Sequence, residues 1–260
     1  MIELIDVSGG YNGLKKLDNI NIKINKGTIT SIIGPNGCGK TTLLKVASGL
    51  ITPYSGEILL NDIPINNIKK KEFAKSVSIL PQTRNIPNII VSSLVMHGRF
   101  PYLGFSRKLS SHDREKVEYA MELTGVIKFR NKNLLELSGG ERQKVYIAMI
   151  VAQDTDIIFL DEPTTYLDIN QQFQVINLIK KLNEKGKTIV IVLHDIVQAL
   201  THSDKICVMN KGEIRSYGSP KEILEKKIIN EVFGINCKRV NIQETCYSYV
   251  LEFSNNLTFL

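Results

Sequence analysis

The stretch "GPNGCGKTT", residues 34–42, decides the fold. It contains the complete pattern G-x-x-x-x-G-K-T, in which glycines surround a single lysine. The run "TITSIIG" at 28–34 predicts a buried strand, because it is rich in β-branched residues and ends in glycine. The run "KTTLLKVASGL" at 40–50 predicts a helix. A glycine-rich loop between a buried strand and a helix predicts a phosphate-binding P-loop, whereas a chance lysine in a glycine-rich turn would not account for the flanking runs.

The P-loop, residues 34–42, carries the groups needed to bind a nucleotide. Its glycines let backbone N–H groups turn toward a β-phosphate, and the start of the following helix adds a partial positive charge. Lys40 is placed to neutralise the β- and γ-phosphate oxygens, and the hydroxyl of Thr41 to bind magnesium. Cys38 occupies one of the x positions of this pattern, which contribute backbone groups, so we predict no role for its side chain. The predicted nucleotide-binding residues of the loop are Gly34, Pro35, Asn36, Gly37, Cys38, Gly39, Lys40, Thr41 and Thr42.

A pair of carboxylates ends a second apolar run, "IIFLDEP" at 157–163. Asp161, at the end of the predicted strand, is placed to bind magnesium directly or through water. Glu162 is placed to polarise the water that attacks a phosphate. The pair could instead be a helix N-cap before Pro163. Because a P-loop lies upstream, we predict a magnesium ligand and a catalytic carboxylate.

Further patterns predict the fold class. The run "KTIVIVLHD" at 187–195 predicts another strand, and apolar residues at helical spacing lie between it and 157–163. Strand, helix and strand in this order favour parallel pairing. The segments "IELIDV", "LDNINIKI" and "GEILLNDI" alternate as in an antiparallel sheet, whereas 91–137 has helical patterns and no strong strand. We therefore predict an α/β fold: a P-loop NTPase core with a mostly parallel sheet, an antiparallel β subdomain and an inserted helical subdomain.

The predicted organisation is a single domain in three parts. Residues 1–90 and 138–220 form a RecA-like core with the antiparallel β subdomain. Residues 91–137 form the helical subdomain, and 221–260 form a C-terminal extension whose sequence alternates as in strands.

Composition excludes several classes of protein. The chain has 260 residues, and its longest apolar runs fall short of the roughly 20 residues that span a bilayer. Its four cysteines show no C-x-x-C pairing, which argues against a disulfide framework or a zinc site. The net charge of +7 would suit nucleic acid, but the lysines are spread along the chain without an aromatic-basic RNA motif, so we expect no nucleic-acid partner. The start "MIELIDVSGG" lacks a secretory signal, and we expect a cytoplasmic protein.

A third motif, "LSGGERQK" at 137–144, is another anion cradle, but it lacks a lysine. Alone, it would be a plain helix start with Ser138 as the N-cap. Together with the P-loop and four further residues, it resembles the nucleotide-binding subunit of ABC transporters over residues 1–220. Those four residues are Gln82, Asp161, Glu162 and His194.

The resemblance implies a role for each matching residue. Tyr11 matches the aromatic residue that stacks on adenine, although a lone tyrosine near a strand is more often part of a core. Gln82 matches the glutamine that touches magnesium and forms the hinge of the helical subdomain. His194 matches the switch histidine that contacts the γ-phosphate. Gln82, Glu162 and His194 are thus the predicted catalytic residues, and Thr41, Gln82 and Asp161 the predicted metal ligands.

The resemblance also implies a dimer. Ser138, Gly139 and Gly140, which we call the signature motif, match residues that contact the γ-phosphate bound on the other subunit. Asp168 matches the loop that links the two sites. A lysine-bearing and a lysine-free cradle on one chain can close over nucleotide if two chains meet head to tail. We therefore expect a homodimer that binds two ATP and Mg²⁺ and closes on ATP binding.

Two stretches bear on which compound such a transporter would carry, which we call its cargo. They are "HGRFPYLGF" at 97–105 and "DEPTTYLDINQQ" at 161–172. Both resemble the importer ATPases of iron-siderophore, haem and cobalamin permeases. The block "AQDTDIIFLDEPTTYLD" at 152–168 is especially similar to the ferric-siderophore members. The resemblance implies integral membrane permease partners, an indirect extracytoplasmic binding protein and a peripheral location on the cytoplasmic face of the membrane. A cobalamin or haem importer, a soluble ABC ATPase acting on nucleic acid or ribosomes, and a nonenzymatic scaffold remain alternatives.

The first of these stretches, 97–105, also leads to an expectation about coupling. It follows Gln82 and contains Arg99, Tyr102 and Phe105. We expect this stretch to pack against a permease helix and to carry the nucleotide state to the membrane, with the aromatic residues as anchors. Alternatively, these aromatic residues fill the core of the helical subdomain.

Overall fold

A computed structural model describes residues 1–82, 86–104, 108–243 and 246–253. The strands are β1 (Ile2–Tyr11), β2 (Leu14–Ile24), β3 (Ile29–Ile33), β4 (Ser55–Leu60), β5 (Ile63–Pro64), β6 (Val77–Leu80), β7 (Ile157–Asp161), β8 (Thr188–Val192), β9 (Lys205–Asn210), β10 (Glu213–Gly218), β11 (Ile235–Gln243) and β12 (Cys246–Phe253). The helices are α1 (Lys40–Ala47), α2 (Lys70–Ser76), α3 (Val91–Met96), α4 (Ser111–Leu123), α5 (Gly139–Gln153), α6 (Ile169–Glu184), α7 (Ile196–His202), α8 (Pro220–Glu225) and α9 (Ile228–Phe233).

The chain forms two compact units. The first unit contains Met1–Ile65 and Val190–Leu260, and the second contains Asn66–Ile189. Strand β8 crosses from the second unit into the first at Val190.

In the first unit, the predicted antiparallel sheet is present with the strand order β2-β1-β4-β5. Ile2 of β1 pairs with Ile24 of β2 on one side and with Leu60 of β4 on the other. All three side chains are buried, because one face of this sheet covers the core.

The first unit also contains the sheet that leads into the P-loop, with the strand order β10-β9-β3-β8. Strand β3 is buried along its whole length, as expected for a strand covered on both faces. It runs parallel to β9, with Ile33 opposite Val208. The chain leaves β3 at Ile33 and enters the P-loop at the next residue.

In the second unit, the strand order is β8-β7-β6. Strands β6 and β7 are parallel, with Leu80 opposite Leu160, so their carboxyl ends lie at the same edge. Helix α6 buries the apolar face that its sequence predicts. The buried residues of that face include Val175, Leu178, Ile179 and Leu182. Parallel and antiparallel pairings occur as expected, and the prediction of an α/β fold is confirmed.

Within 91–137, the described residues form α3, α4 and three 3-10 turns. The tail forms an antiparallel hairpin of β11 and β12, in which Ile235 pairs with Phe253. The exact division into core, helical subdomain and extension stays a prediction. No helix among the described residues is both long enough and apolar enough to cross a membrane.

The helical part of the second unit contains a buried ion pair between Arg99 and Asp113. Arg99 is only 2% exposed, and its Nε donates to Oδ1 of Asp113 at 2.9 Å. Its Nη1 donates to the carbonyl oxygen of Ala152 at 2.7 Å, and its guanidinium lies 3.7 Å from the ring centroid of Tyr102. The Arg99 side chain therefore lies inside the unit with its donors satisfied, whereas the expectation that residues 97–105 pack against a permease stays a prediction.

Replacement of Arg99 by alanine should destabilise the protein by about 3–5 kcal/mol, because it leaves the buried Asp113 carboxylate without its cation. Urea denaturation followed by circular dichroism measures this change. Arg130→Ala is the control, since Arg130 pairs with Glu118 on the surface of the same unit, and its loss should cost less than about 1 kcal/mol. Equal effects of the two variants would show that the Arg99 ion pair does not organise this part of the fold.

Candidate nucleotide site

The P-loop adopts a conformation that depends on glycine at two positions. Gly39 has a φ of 109°, in the left-handed region that side chains rarely adopt. A Cβ atom on Gly34 would lie 2.4 Å from the carbonyl oxygen of Met209, so this position requires the absence of a side chain. The N–H of Gly212 donates to the carbonyl oxygen of Cys38 at 2.9 Å and ties the loop to the turn between β9 and β10.

Lys40 lies folded over its own loop. The residue is 6% exposed, and its Nζ donates to the carbonyl oxygens of Gly34 at 2.8 Å and Pro35 at 3.0 Å. Lys40 is also the first residue of α1, where backbone N–H groups point away from the helix. An ammonium group and a helix N-terminus therefore meet at one loop, which is the arrangement that binds phosphate. Thr42 is buried and Thr41 is half-buried beside it in the first turn.

Two further predicted residues lie in the first unit. His194 is exposed and follows Leu193, whose N–H donates to the carbonyl oxygen of Ile32 at 3.2 Å. His194 thus lies at the same edge of the sheet as the entry to the P-loop. Tyr11 ends β1 with 39% of its surface exposed, and the Nζ of Lys45 lies 5.7 Å from its ring centroid. The ring is accessible, as stacking on a base requires.

In the second unit, Gln82 and Glu162 are hydrogen-bonded to each other. Nε2 of Gln82 donates to Oε2 of Glu162, and Oγ1 of Thr165 donates to the same oxygen at 3.2 Å. Glu162 has a φ of 50°, an unusual backbone conformation that occurs at functional sites. Asp161, at the end of β7, is 1% exposed. The parallel register of β6 and β7 explains why two side chains 80 positions apart in the sequence meet.

The signature motif begins helix α5. Ser138 is the N-cap, and Ser138 and Gly139 are exposed whereas Gly140 is buried. A Cβ atom on Gly140 would lie 2.4 Å from Cδ of Gln171, so the amide group of Gln171 covers this glycine. Asp168 caps helix α6, where its Oδ1 accepts from the N–H of Gln171 at 2.8 Å.

A cavity of about 220 Å³ in the second unit brings three of the predicted residues together. Gln82, Glu162 and Gly139 line it, with Arg142, Thr165 and Tyr166 as neighbours. The P-loop, Tyr11 and His194 belong to the first unit, and the remaining predicted residues belong to the second.

The sequence analysis did not single out Glu141, Thr165 or Gln171. The hydrogen bond of Glu141 with Ser138 could have been predicted, because the Ser-x-x-Glu pattern at 138–141 is typical of a capping box. The contacts of Thr165 with Glu162 and of Gln171 with Gly140 depend on tertiary folding, and no short sequence pattern signals them.

A buried parallel strand that leads through a glycine-rich, lysine-bearing loop into a helix defines a P-loop NTPase. The comparisons with known proteins place the chain more narrowly. A family model described as "ABC transporter" matches residues 17–165. The petrobactin import ATP-binding protein FpuD of Bacillus anthracis is 42% identical over 224 residues, which cover 85% of this chain and 82% of the relative.

Two other comparisons agree with that match. The iron(3+)-hydroxamate import ATP-binding protein FhuC of Bacillus subtilis is 39% identical over 248 residues, which cover 93% of this chain and 92% of the relative. A bacterial ABC transporter cassette, solved as a dimer, superposes with a TM-score of 0.74 at 30% identity over 85% of this chain and 99% of that one. The chain therefore belongs to the ABC transporter family, and the prediction of an ATP-binding ABC-type ATPase is confirmed.

Lys40→Ala should abolish ATPase activity and sharply weaken ATP binding, because the loop loses its only cation for the phosphate oxygens. Equilibrium binding of labelled ATP to the purified chain measures the effect. Lys26→Ala, which removes an exposed lysine of the same unit, is the control and should retain ATP binding. Wild-type affinity in Lys40→Ala would rule out the P-loop assignment.

Proposed function

We propose that this chain is the ATP-hydrolysing subunit that energises an ABC importer for an iron complex, and that its cargo is a ferric siderophore. The observation that carries the ATPase part is the Gln82–Glu162 hydrogen bond beside the buried Asp161, because these groups suit water activation and metal binding. The cargo is supported by the relatives, which are named for import of petrobactin and iron(3+)-hydroxamate.

The residues of the first unit bind the nucleotide in this proposal. Lys40 exchanges its bonds to two loop carbonyls for bonds to the β- and γ-phosphate oxygens, which are better acceptors because they are charged. The other P-loop residues, 34–42, surround the phosphates with backbone N–H groups. Tyr11 stacks on adenine, and His194 contacts the γ-phosphate.

Thr41, Gln82 and Asp161 are the proposed ligands of Mg²⁺. A hydroxyl, an amide oxygen and a carboxylate form the oxygen donor set that Mg²⁺ prefers, and a carboxylate as buried as that of Asp161 suits a cation partner. The bound ion supplies charge neutralisation to the phosphates. Glu162 orients the attacking water and takes its proton, while Thr165 and Gln82 hold the carboxylate in place.

We further propose that two copies of the chain close head to tail over two ATP. Each chain carries a lysine-bearing cradle in one unit and the lysine-free signature motif in the other. In this arrangement Ser138, Gly139 and Gly140 contact the γ-phosphate bound by the partner, and Asp168 lies in the loop between the two sites. The dimeric state of the related cassette supports this proposal.

Coupling to the membrane follows from the same scheme. We propose that the dimer lies on the cytoplasmic face of the membrane, bound to permease subunits that receive cargo from an extracytoplasmic binding protein, and that nucleic acid is no partner. In this proposal the amide oxygen of Gln82 gains the bound ion as a partner while its Nε2 keeps Glu162, and Gln82 precedes the helical segment at 91–137. In that segment, Phe100 is 57% exposed, whereas Tyr102 is half-buried against Arg99. Phe105 lies outside the described residues.

Glu162→Gln should keep ATP binding but lower hydrolysis by about 10²–10⁴, because the amide cannot take the proton from water. ATP with magnesium should then hold the variant as a closed dimer while the wild type returns to monomers. Size-exclusion chromatography with ATP measures this difference, and Glu184→Gln on the exposed end of α6 is the charge-matched control. An equal dimer fraction in Glu162→Gln and wild type would exclude closure over ATP as the mechanism.

Purification of the tagged chain from its own membranes should recover a permease, and Phe100→Ala should reduce the recovered amount several-fold because exposed aromatic anchors often dominate an interface. Tyr119→Ala, an exposed aromatic on α4, is the control. Ligand binding to the associated extracytoplasmic protein then identifies the cargo. Recovery of a permease whose binding protein takes no iron complex would overturn the proposed cargo.

A further inference from the structure

The signature motif is occupied by a side chain of its own helix. The N–H of Ser138 donates to Oε2 of Glu141 at 2.8 Å, and Oγ of Ser138 accepts from the N–H of Glu141 at 3.3 Å. Ser138 is also one of the three residues through which the signature motif would contact a phosphate in the proposed dimer. The carboxylate of Glu141 is therefore bonded to a residue that the partner's γ-phosphate would contact in the proposed dimer.

Glu141 carries its charge at neutral pH. Hydrogen bonds from the backbone and side chain of Ser138 hold the pKa of Glu141 below its usual value, and Lys128 and Lys132 lower this pKa further. Two anions that approach one set of donors repel each other and compete for the same N–H group. A phosphate that accepts from the N–H of Ser138 must therefore displace the carboxylate.

The same local motif occurs elsewhere in the chain without a phosphate-binding motif. Ser219 and Glu222 form the equivalent capping box at α8, where the N–H of Ser219 donates to Oε2 of Glu222 at 2.6 Å. A capping box stabilises a helix start, and this role accounts for the contact of Glu222 with Ser219. At α5, the box coincides with the exposed residues Ser138 and Gly139, and Gly139 lines the cavity of Gln82 and Glu162. At α5, the carboxylate of Glu141 therefore competes with a phosphate for Ser138 in addition to stabilising the helix.

We propose that Glu141 is a positioning residue that acts through Ser138 as a built-in competing anion, so that dimer closure requires its carboxylate to release the Ser138 N–H. This inference rests on the proposed ATP-dependent dimer. Glu141 thereby raises the ATP concentration at which the dimer closes and keeps the signature motif satisfied in the nucleotide-free chain. It does not change nucleotide affinity at the P-loop of its own chain.

The variant Glu141→Gln removes the negative charge of the side chain but keeps its shape. The amide oxygen of glutamine can still accept from the N–H of Ser138, but the competing negative charge is gone. Any loss of helix stability would weaken the signature motif and raise the ATP requirement. The proposal requires the opposite, a gain in closure, which damage to the fold does not produce.

The experiment uses full-length Glu162→Gln protein, alone and combined with either Glu141→Gln or Glu222→Gln. ATP with magnesium is titrated, and the dimer fraction is measured by light scattering. Glu141→Gln should lower the ATP concentration at half-maximal closure about fivefold at low salt, and this difference should shrink in about 0.5 M salt. Glu222→Gln should leave the midpoint unchanged, and the affinity of the monomer for labelled ADP should be equal in all three proteins.

An unchanged or higher midpoint with Glu141→Gln would overturn the inference while leaving the ATP-dependent dimer intact. A shift of the same size with Glu222→Gln would assign the effect to net charge and would also overturn it. If the Glu162→Gln parent forms no dimer with ATP, then the proposed closure fails, and the role of Glu141 fails with it.

Discussion

The nucleotide site depends first on the ammonium group of Lys40 and the loop that holds it. An ammonium group as buried as this one needs acceptors, and the carbonyl oxygens of Gly34 and Pro35 provide them. The loop can turn these oxygens inward only because Gly39 accepts a left-handed backbone and Gly34 carries no side chain. The buried strand β3 fixes where the loop starts, so the cation is positioned before a phosphate arrives.

The two anion cradles of the chain differ in what a phosphate must displace. At the P-loop, a phosphate would in our proposal replace neutral carbonyl oxygens as the partners of Lys40, which favours its binding. At the signature motif, the phosphate would in our proposal replace the carboxylate of Glu141 at the N–H of Ser138, which opposes its binding. Nucleotide should therefore load on the P-loop first and recruit the partner's signature motif second. This order agrees with the proposed cycle, in which ATP binds first and the dimer closes afterwards.

Local sequence patterns were sufficient to predict the P-loop, the strand that ends at Asp161 and the apolar face of α6, because each depends on neighbours in the chain. The contact of Gln82 with Glu162 required the register of two parallel strands, which the sequence patterns did not specify. Likewise, the sequence patterns did not specify that Arg99, within the stretch 97–105, is buried against Asp113, 14 positions away. A cation in a sequence of aromatic residues does not reveal whether its counter-charge lies inside the fold or outside it.

The central claim is that each ATP lies between Lys40 of one chain and Ser138 of another. Photo-crosslinking tests it with two distinguishable chains, one carrying Glu162→Gln and the other carrying Lys40→Ala in addition. An ATP analogue with a photoreactive group on its γ-phosphate binds only the chain that retains Lys40. The account predicts that the label transfers to residues 138–141 of the chain that lacks Lys40. Label confined to the chain that retains Lys40 would contradict it.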